Sequence, residues 1–141
     1  MNDMVNKAMG IAAMAHRGQK DKAGEAYILH PLRVAAMMTT EEEIAVALLH
    51  DVVEDSVYTL NDLKLAGFPA PVIHAVDLLT RRKGQSYKDY VLKLKTDPLA
   101  RKVKIADLKH NSDLSRLPKL KAQDLKRVQK YQDALAVLLD P

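Results

Sequence analysis

The sequence predicts an all-α domain of about seven or eight helices, and three observations carry that prediction. Apolar residues recur at helical spacing along nearly the whole chain. Cap residues, prolines and glycines punctuate that pattern at intervals suited to helices of one to five turns. No stretch alternates apolar and polar residues with period two for long enough to make a strand.

The elements follow in order. Met4, Val5, Ala8, Met9, Ile11, Ala12 and Ala15 form the stripe of a first helix over residues 3–18, with Asp3 as its N-cap. Residues 20–29 read as a basic loop that turns at Gly24. His30-Pro31 opens a second helix reaching about Thr39, with the proline in the first turn, where its missing N–H costs nothing. Thr40-Glu41-Glu42-Glu43 resembles a capping box, and the helix it starts is apolar on nearly every side from Ile44 to Val53. Thr59 caps a short helix ending at Gly67, and Pro69-Ala70-Pro71 opens the next. Ser86 caps a helix through Tyr90 and Leu94. Asp97-Pro98 starts one reaching Leu108 or beyond, and Leu117-Pro118 interrupts the chain before a last amphipathic helix from about Ala122 to Leu139.

A chain of 141 residues suits one domain, residues 1–141, with a core of its own. It has no cysteine, so disulfides, thiol nucleophiles and Cys-ligated zinc are excluded. The N-terminus lacks the charged and apolar regions of a signal peptide, and no apolar run approaches the roughly 20 residues that span a bilayer. A cytoplasmic protein without a membrane partner is expected. The net charge is +4, with Lys and Arg denser from Arg81 to Lys130. Such a balance suits a phosphorylated small molecule. A nucleic-acid partner is not expected, because exposed aromatics for stacking are scarce among one Phe, five Tyr and no Trp. Nothing in the sequence specifies an oligomeric state.

The run Leu48-Leu49-His50-Asp51-Val52-Val53-Glu54-Asp55 carries the chemistry. Ionisable residues at the end of a buried helix are costly without a partner. A metal ion bound by His50 and Asp51, with His30 and with Asp107 from the apolar stretch Val103-Lys104-Ile105-Ala106-Asp107, would be that partner. Two imidazoles and two carboxylates suit Mn²⁺, Fe²⁺ or Zn²⁺, and four protein ligands favour Mn²⁺ over a tetrahedral zinc that also holds water. Glu54 and Asp55 follow His50 and Asp51 by one turn and face the same way, placed to position a water or accept its proton. Asn111 stands one turn after Asp107. Arg17, Lys20 and Lys22 flank the His30 segment as candidate phosphate ligands. His74 and His110 read as core histidines, the methionines at 4, 9, 14, 37 and 38 as core filler, and Lys119–Lys130 as a solvated face.

Four ordered motifs resemble the hydrolase half of RelA/SpoT-type proteins, which are HD-domain phosphohydrolases. They are Ala15-His16-Arg17-Gly18-Gln19 with Gly24-Glu25; Tyr27-Ile28-Leu29-His30-Pro31; Ala47 to Asp55; and Lys104 to Asn111. The resemblance covers roughly residues 5–115. It implies the all-α HD fold and Mn²⁺ on His30, His50, Asp51 and Asp107. It makes Glu54 and Asp55 the catalytic acids, with the loop after Gln19 and Asn111 against the nucleotide. The implied reaction removes the 3′-pyrophosphate of (p)ppGpp, giving GDP or GTP and pyrophosphate. Since the chain stops where a synthetase domain would begin, a stand-alone small alarmone hydrolase is expected. Asp21-Lys22 stands where the family commonly has Arg-Lys, and Ala26 where it has Pro. Two other readings stand beside this one: an HD phosphohydrolase acting on an NTP, a dNTP or NADPH, and a non-catalytic nucleotide-sensing module.

Overall fold

A computed structural model describes residues 3–115 and 117–141; Met1 and Asn2 of the N-terminal stretch and Arg116 lie outside the described residues. The described residues form nine α-helices: α1 (Asp3–Ala15), α2 (Leu29–Ala36), α3 (Glu41–Leu49), α4 (Val52–Asp55), α5 (Leu60–Leu65), α6 (Ala70–Leu79), α7 (Tyr87–Lys95), α8 (Pro98–Asn111) and α9 (Ala122–Leu139). The one β feature among them is an isolated antiparallel bridge between Lys20 and Ala26.

The caps explain where helices begin. Thr40 accepts from the amide of Glu43, and the Glu43 carboxylate accepts from the amide of Thr40, a reciprocal capping box. Thr59 and Asp62 repeat the device at α5. The hydroxyl of Ser86 and the carboxylate of Asp97 cap α7 and α8. Gly67, at φ 94°, takes the left-handed conformation just past α5.

Helix α3 is the axis of the fold. Ala45, Val46, Ala47, Leu48 and Leu49 are fully buried, as a helix apolar all round must be. It packs against α1, α2, α6 and α8, so its C-terminal end opens among the segments that carry the other motif residues. The continuous helix expected through Asp55 breaks there. His50 and Asp51 form a turn, with Asp51 at φ −107° and ψ 0°, and α4 then starts at Val52. That break makes the ninth helix. The amide of Asp55 still donates to the carbonyl of Asp51, so Asp55 remains one turn from the break.

Other expectations shift. Helix α2 ends at Ala36 rather than near Thr39. His74 is exposed, because Val72, Ile73, Ala75 and Val76 take the inward face of α6 and turn it out. Met9, Met14 and Met37 are exposed and not core filler, whereas Met38 is buried and Met4 packs against the core. In α9 Leu135 and Leu138 are buried but Leu125 is exposed. Among the described residues no helix is long and apolar enough to cross a membrane.

Candidate metal centre

His30 in the first turn of α2, His50 and Asp51 in the α3–α4 turn, and Asp107 near the end of α8 converge. One ligand atom from each lies within 4.8 Å of all the others. His30 Nε2 is 2.7 Å from Asp107 Oδ1 and 3.9 Å from Asp51 Oδ2. His50 Nε2 is 3.0 Å from Asp51 Oδ2 and 3.3 Å from Asp107 Oδ1. His30, His50 and Asp107 are buried, and Asp51 is partly buried. The four sequence candidates for the metal site are thus brought together.

The surroundings fit a divalent cation. His50 Nδ1 donates to the carbonyl of Ala47 at 2.5 Å, which turns Nε2 toward the carboxylates. His30 Nδ1 lies 2.6 Å from His110 Nδ1, with the same consequence for its Nε2. The Tyr27 hydroxyl donates to Asp51 Oδ2 at 2.5 Å. Lys104 donates to Asp107 Oδ2 at 2.9 Å and Asn111 to Oδ1 at 3.1 Å. The electrostatics point the same way. Burial pushes the His50 imidazole down, but the Asp51 and Asp107 carboxylates outweigh it and hold it well above its ordinary range. Burial pushes Asp51 up, but His50 and the Tyr27 hydrogen bond bring it down to about 2. Asp107 is likewise driven up by burial and further down by Lys104 and His50. Two ionised carboxylates buried together draw positive charge into the site, and two imidazoles with two carboxylates are donors for a borderline or hard divalent ion.

A polar cavity of about 220 Å³ opens on this cluster. Asp51, Asp107, Glu54, Asp55 and Asn111 line it, as do Tyr27, Arg81, Tyr87, Tyr90, Lys104, Lys130 and Tyr131. Burial, followed by the Asp51 and Glu54 charges, pushes Asp55 up to about 6 against the opposing effect of His50. Glu54 accepts the backbone N–H of Arg81 at 2.8 Å, tying α4 to the loop after α6. Gln19 donates to the carbonyl of Asp55 at 2.8 Å and accepts from His16 Nδ1 at 2.8 Å, tying the same turn to the end of α1.

A second cavity, of about 370 Å³, shares Tyr27, Asn111 and Tyr131 with the first. Lys20, Asp21 and Lys22 form one wall and Arg127 of α9 another. The Asp21 side chain accepts from the amides of Ala23 and Glu25, both at 2.9 Å, and so closes its own loop around Gly24 at φ 84°. Arg17 is exposed and lines neither cavity.

Several participants escaped the sequence reading, Arg81, Tyr87, Tyr90 and Lys130 of the cavity wall among them. His110 is not a core residue but the hydrogen-bond partner of His30; its position three residues after Asp107 was the available signal. Tyr27 and Lys104 hold the two carboxylates, and Lys104, one turn before Asp107, was open to the same spacing argument. Arg127 and Tyr131 come from α9, whose basic stretch is not only a solvated face. No local pattern says which helix crosses the cleft.

With the geometry in hand, known proteins supply the context. No family model matches the chain. A guanosine-3′,5′-bis(diphosphate) 3′-pyrophosphohydrolase of Haemophilus influenzae is 36% identical over 116 residues, covering 72% of this chain and 17% of its own length. A GTP pyrophosphokinase of Streptomyces coelicolor is 32% identical over 135 residues, covering 86% of this chain and 16% of its own. The chain is a RelA/SpoT homologue. It spans about a sixth of the length of these curated relatives. The solved structure of a metazoan SpoT ortholog, described as hydrolyzing ppGpp, superposes with a TM-score of 0.80 at 24% identity, covering 99% of this chain and 87% of the other. The fold of this RelA/SpoT homologue is therefore the all-helical HD-domain fold.

Proposed function

We propose that the chain is a metal-dependent (p)ppGpp 3′-pyrophosphohydrolase. The observation that carries this is the convergence of His30, His50, Asp51 and Asp107 within 4.8 Å, at the edge of a cavity also lined by Glu54 and Asp55. The activities named for the Haemophilus relative and the metazoan SpoT ortholog support the substrate. The four residues would hold a divalent ion, with Mn²⁺ our assignment for a mixed imidazole and carboxylate set that leaves room for water. Such an ion supplies a Lewis acid and lowers the pKa of a bound water.

The chain's own residues do the rest. Tyr27 and Lys104 orient Asp51 and Asp107. Asp55, near neutrality at about 6, takes the proton of the attacking water, and Glu54 positions that water while it holds the Arg81 amide. The water oxygen bonds to the phosphorus nearest the ribose, and the O3′–P bond breaks. The electron pair stays on O3′, which takes up a proton. The products are GDP or GTP and pyrophosphate. Lys20 and Lys22 of the adjoining cavity face the nucleotide, and Asn111 stands between the two cavities. Residues 1–141 act as one catalytic unit in the cytoplasm, on a small nucleotide, without nucleic acid or membrane.

The test is to incubate the protein with Mn²⁺ and a panel of ppGpp, NTPs, dNTPs and NADPH, and to separate the products. GDP and pyrophosphate from ppGpp are expected. Turnover of other nucleotides alone would replace the substrate, and binding without turnover would make the protein a sensor. Asp51→Ala is expected to lose metal and activity together, and Glu54→Gln to keep the metal and lose rate.

A further inference from the structure

Two cations in the wall of the metal cavity have no part in the chemistry above. Lys130 Nζ of α9 stands 4.0 Å from the centre of the Tyr87 ring, and the Arg81 guanidinium carbon 5.4 Å from the same centre. The two thus converge on one aromatic platform from different elements, α9 and the α6–α7 loop. Among the described residues neither is in an ion pair with a carboxylate. Burial, then the charges of Arg81 and Lys104, lower the Lys130 ammonium, and the Arg81 side chain meets a carbonyl, that of Gln85, to which Nε donates at 3.0 Å. Among the described residues the buried Tyr87 hydroxyl has no hydrogen-bond partner.

The corner is joined to the metal cluster by a short series of contacts. Lys104, which holds Asp107, lies 5.2 Å from the centre of the Tyr90 ring, and the Tyr90 and Tyr87 rings are 5.8 Å apart. On the other side the Arg81 backbone is fastened to Glu54. An anion spanning the cavity from the four ligands would therefore end against Arg81 and Lys130.

We propose that Arg81 and Lys130, set around Tyr87, form a subsite for the distal phosphate of a diphosphate group whose proximal phosphate is at the metal cluster. The subsite selects diphosphate esters over monophosphate esters, and it holds the pyrophosphoryl group that the water attacks, and the pyrophosphate product, through charge-assisted hydrogen bonds. It rests on the phosphohydrolase reading given above.

The test uses inorganic anions, so it needs no turnover. Pyrophosphate and orthophosphate are titrated calorimetrically into the full-length Mn²⁺-loaded protein and into Arg81→Ala and Lys130→Ala. Both side chains are exposed at their outer ends, and the Arg81 amide that serves Glu54 survives the substitution, so the variants are expected to fold. Wild type should prefer pyrophosphate, and each variant should lower the ratio of the two affinities by about tenfold. Lys130→Arg should restore it. Equal affinity for the two anions in wild type, or an unchanged ratio in both variants, overturns the subsite. If the ratio behaves as expected but ppGpp is not hydrolysed, the subsite stands and the substrate is another diphosphate ester.

Discussion

Nδ1 of His30 and Nδ1 of His110 lie 2.6 Å apart, and their rings stack at a centroid distance of 4.8 Å with 24° between planes. Two such nitrogens at that distance share one proton. When His30 Nε2 is a ligand, the proton sits on His30 Nδ1 and His110 accepts it. His110 would thus orient His30 toward the ion as a carboxylate or carbonyl does elsewhere. His110→Phe keeps a ring in place and removes the acceptor. The expected outcome is a roughly 10- to 100-fold loss of Mn²⁺ affinity with the fold intact. Titration with Mn²⁺ alongside a circular dichroism spectrum measures it, and wild-type affinity in the variant would remove His110 from the site.

Lys104 offers a test of where the ion's charge falls. Its ammonium is 2.9 Å from Asp107 Oδ2, and the two side chains are 13% and 4% exposed. Asp107 raises the Lys104 pKa well above its usual value against the downward pull of burial. Taking one partner from a buried pair costs about 3 kcal/mol, because the other charge is left uncompensated. Lys104→Met should cost about that much in metal-free protein and clearly less with Mn²⁺ bound, since the ion replaces the lost charge at Asp107. Urea unfolding with and without Mn²⁺ gives both values. Equal losses would mean that the ion does not sit against Asp107.

The helices were legible because their ends are chemically marked: Thr40, Thr59 and Ser86 each cap the helix they were expected to cap, and Asp97 caps the one expected to start at Asp97-Pro98. The metal cluster was legible because His50, Asp51 and Asp107 interrupt apolar runs that have no other use for charge. What stayed hidden was set by tertiary placement. The break at His50-Asp51 falls in a run that is apolar on nearly every side, so there was no periodicity for it to interrupt. Arg127 and Tyr131 enter the cleft because α9 packs along α8 and α7, a contact that no local pattern encodes. His74 is exposed between Ile73 and Ala75, both buried, so only its place on α6 turns it out.

Gln19 ties the end of α1 to α4. Its side-chain amide donates to the carbonyls of Asp55 and Ala15, at 2.8 and 3.3 Å, and its oxygen accepts from His16. Gln19→Ala removes all three at about 1 kcal/mol each or less, because water replaces part of the loss. Metal content should stay at the wild-type level while kcat falls, since the turn that loses its support carries Asp55 and not the ligands. Metal analysis and steady-state rates on one preparation decide it, and a fall in bound Mn²⁺ matching the fall in rate would assign Gln19 to the ligands instead.

Asp55 sets the expected pH dependence. Partial withdrawal from water and the neighbouring Asp51 and Glu54 charges raise it from the usual carboxylate range to about 6, with His50 opposing and Arg81 and Lys104 in the same cavity. In unfolded chain the same group titrates near 4. Between those values the folded state binds the extra proton, so this group's contribution favours folding at low pH and is lost as pH rises through about 6. Asp55→Asn has no such group to ionise. Metal-free Asp55→Asn should therefore melt above wild type at pH 7 to 8, and the difference should shrink toward pH 4. Catalysis runs the other way. A proton acceptor must be deprotonated, so kcat/KM should rise with pH and level off at or slightly below about 6 with the ion bound, because a nearby dication lowers a carboxyl pKa. Asp55→Asn should lose that limb along with most of the rate while retaining Mn²⁺. Thermal melts from pH 4 to 8 and a pH–rate profile measure the two halves separately. A variant no more stable than wild type at pH 8, with the acid limb of the profile unchanged, would take Asp55 out of the proton's path.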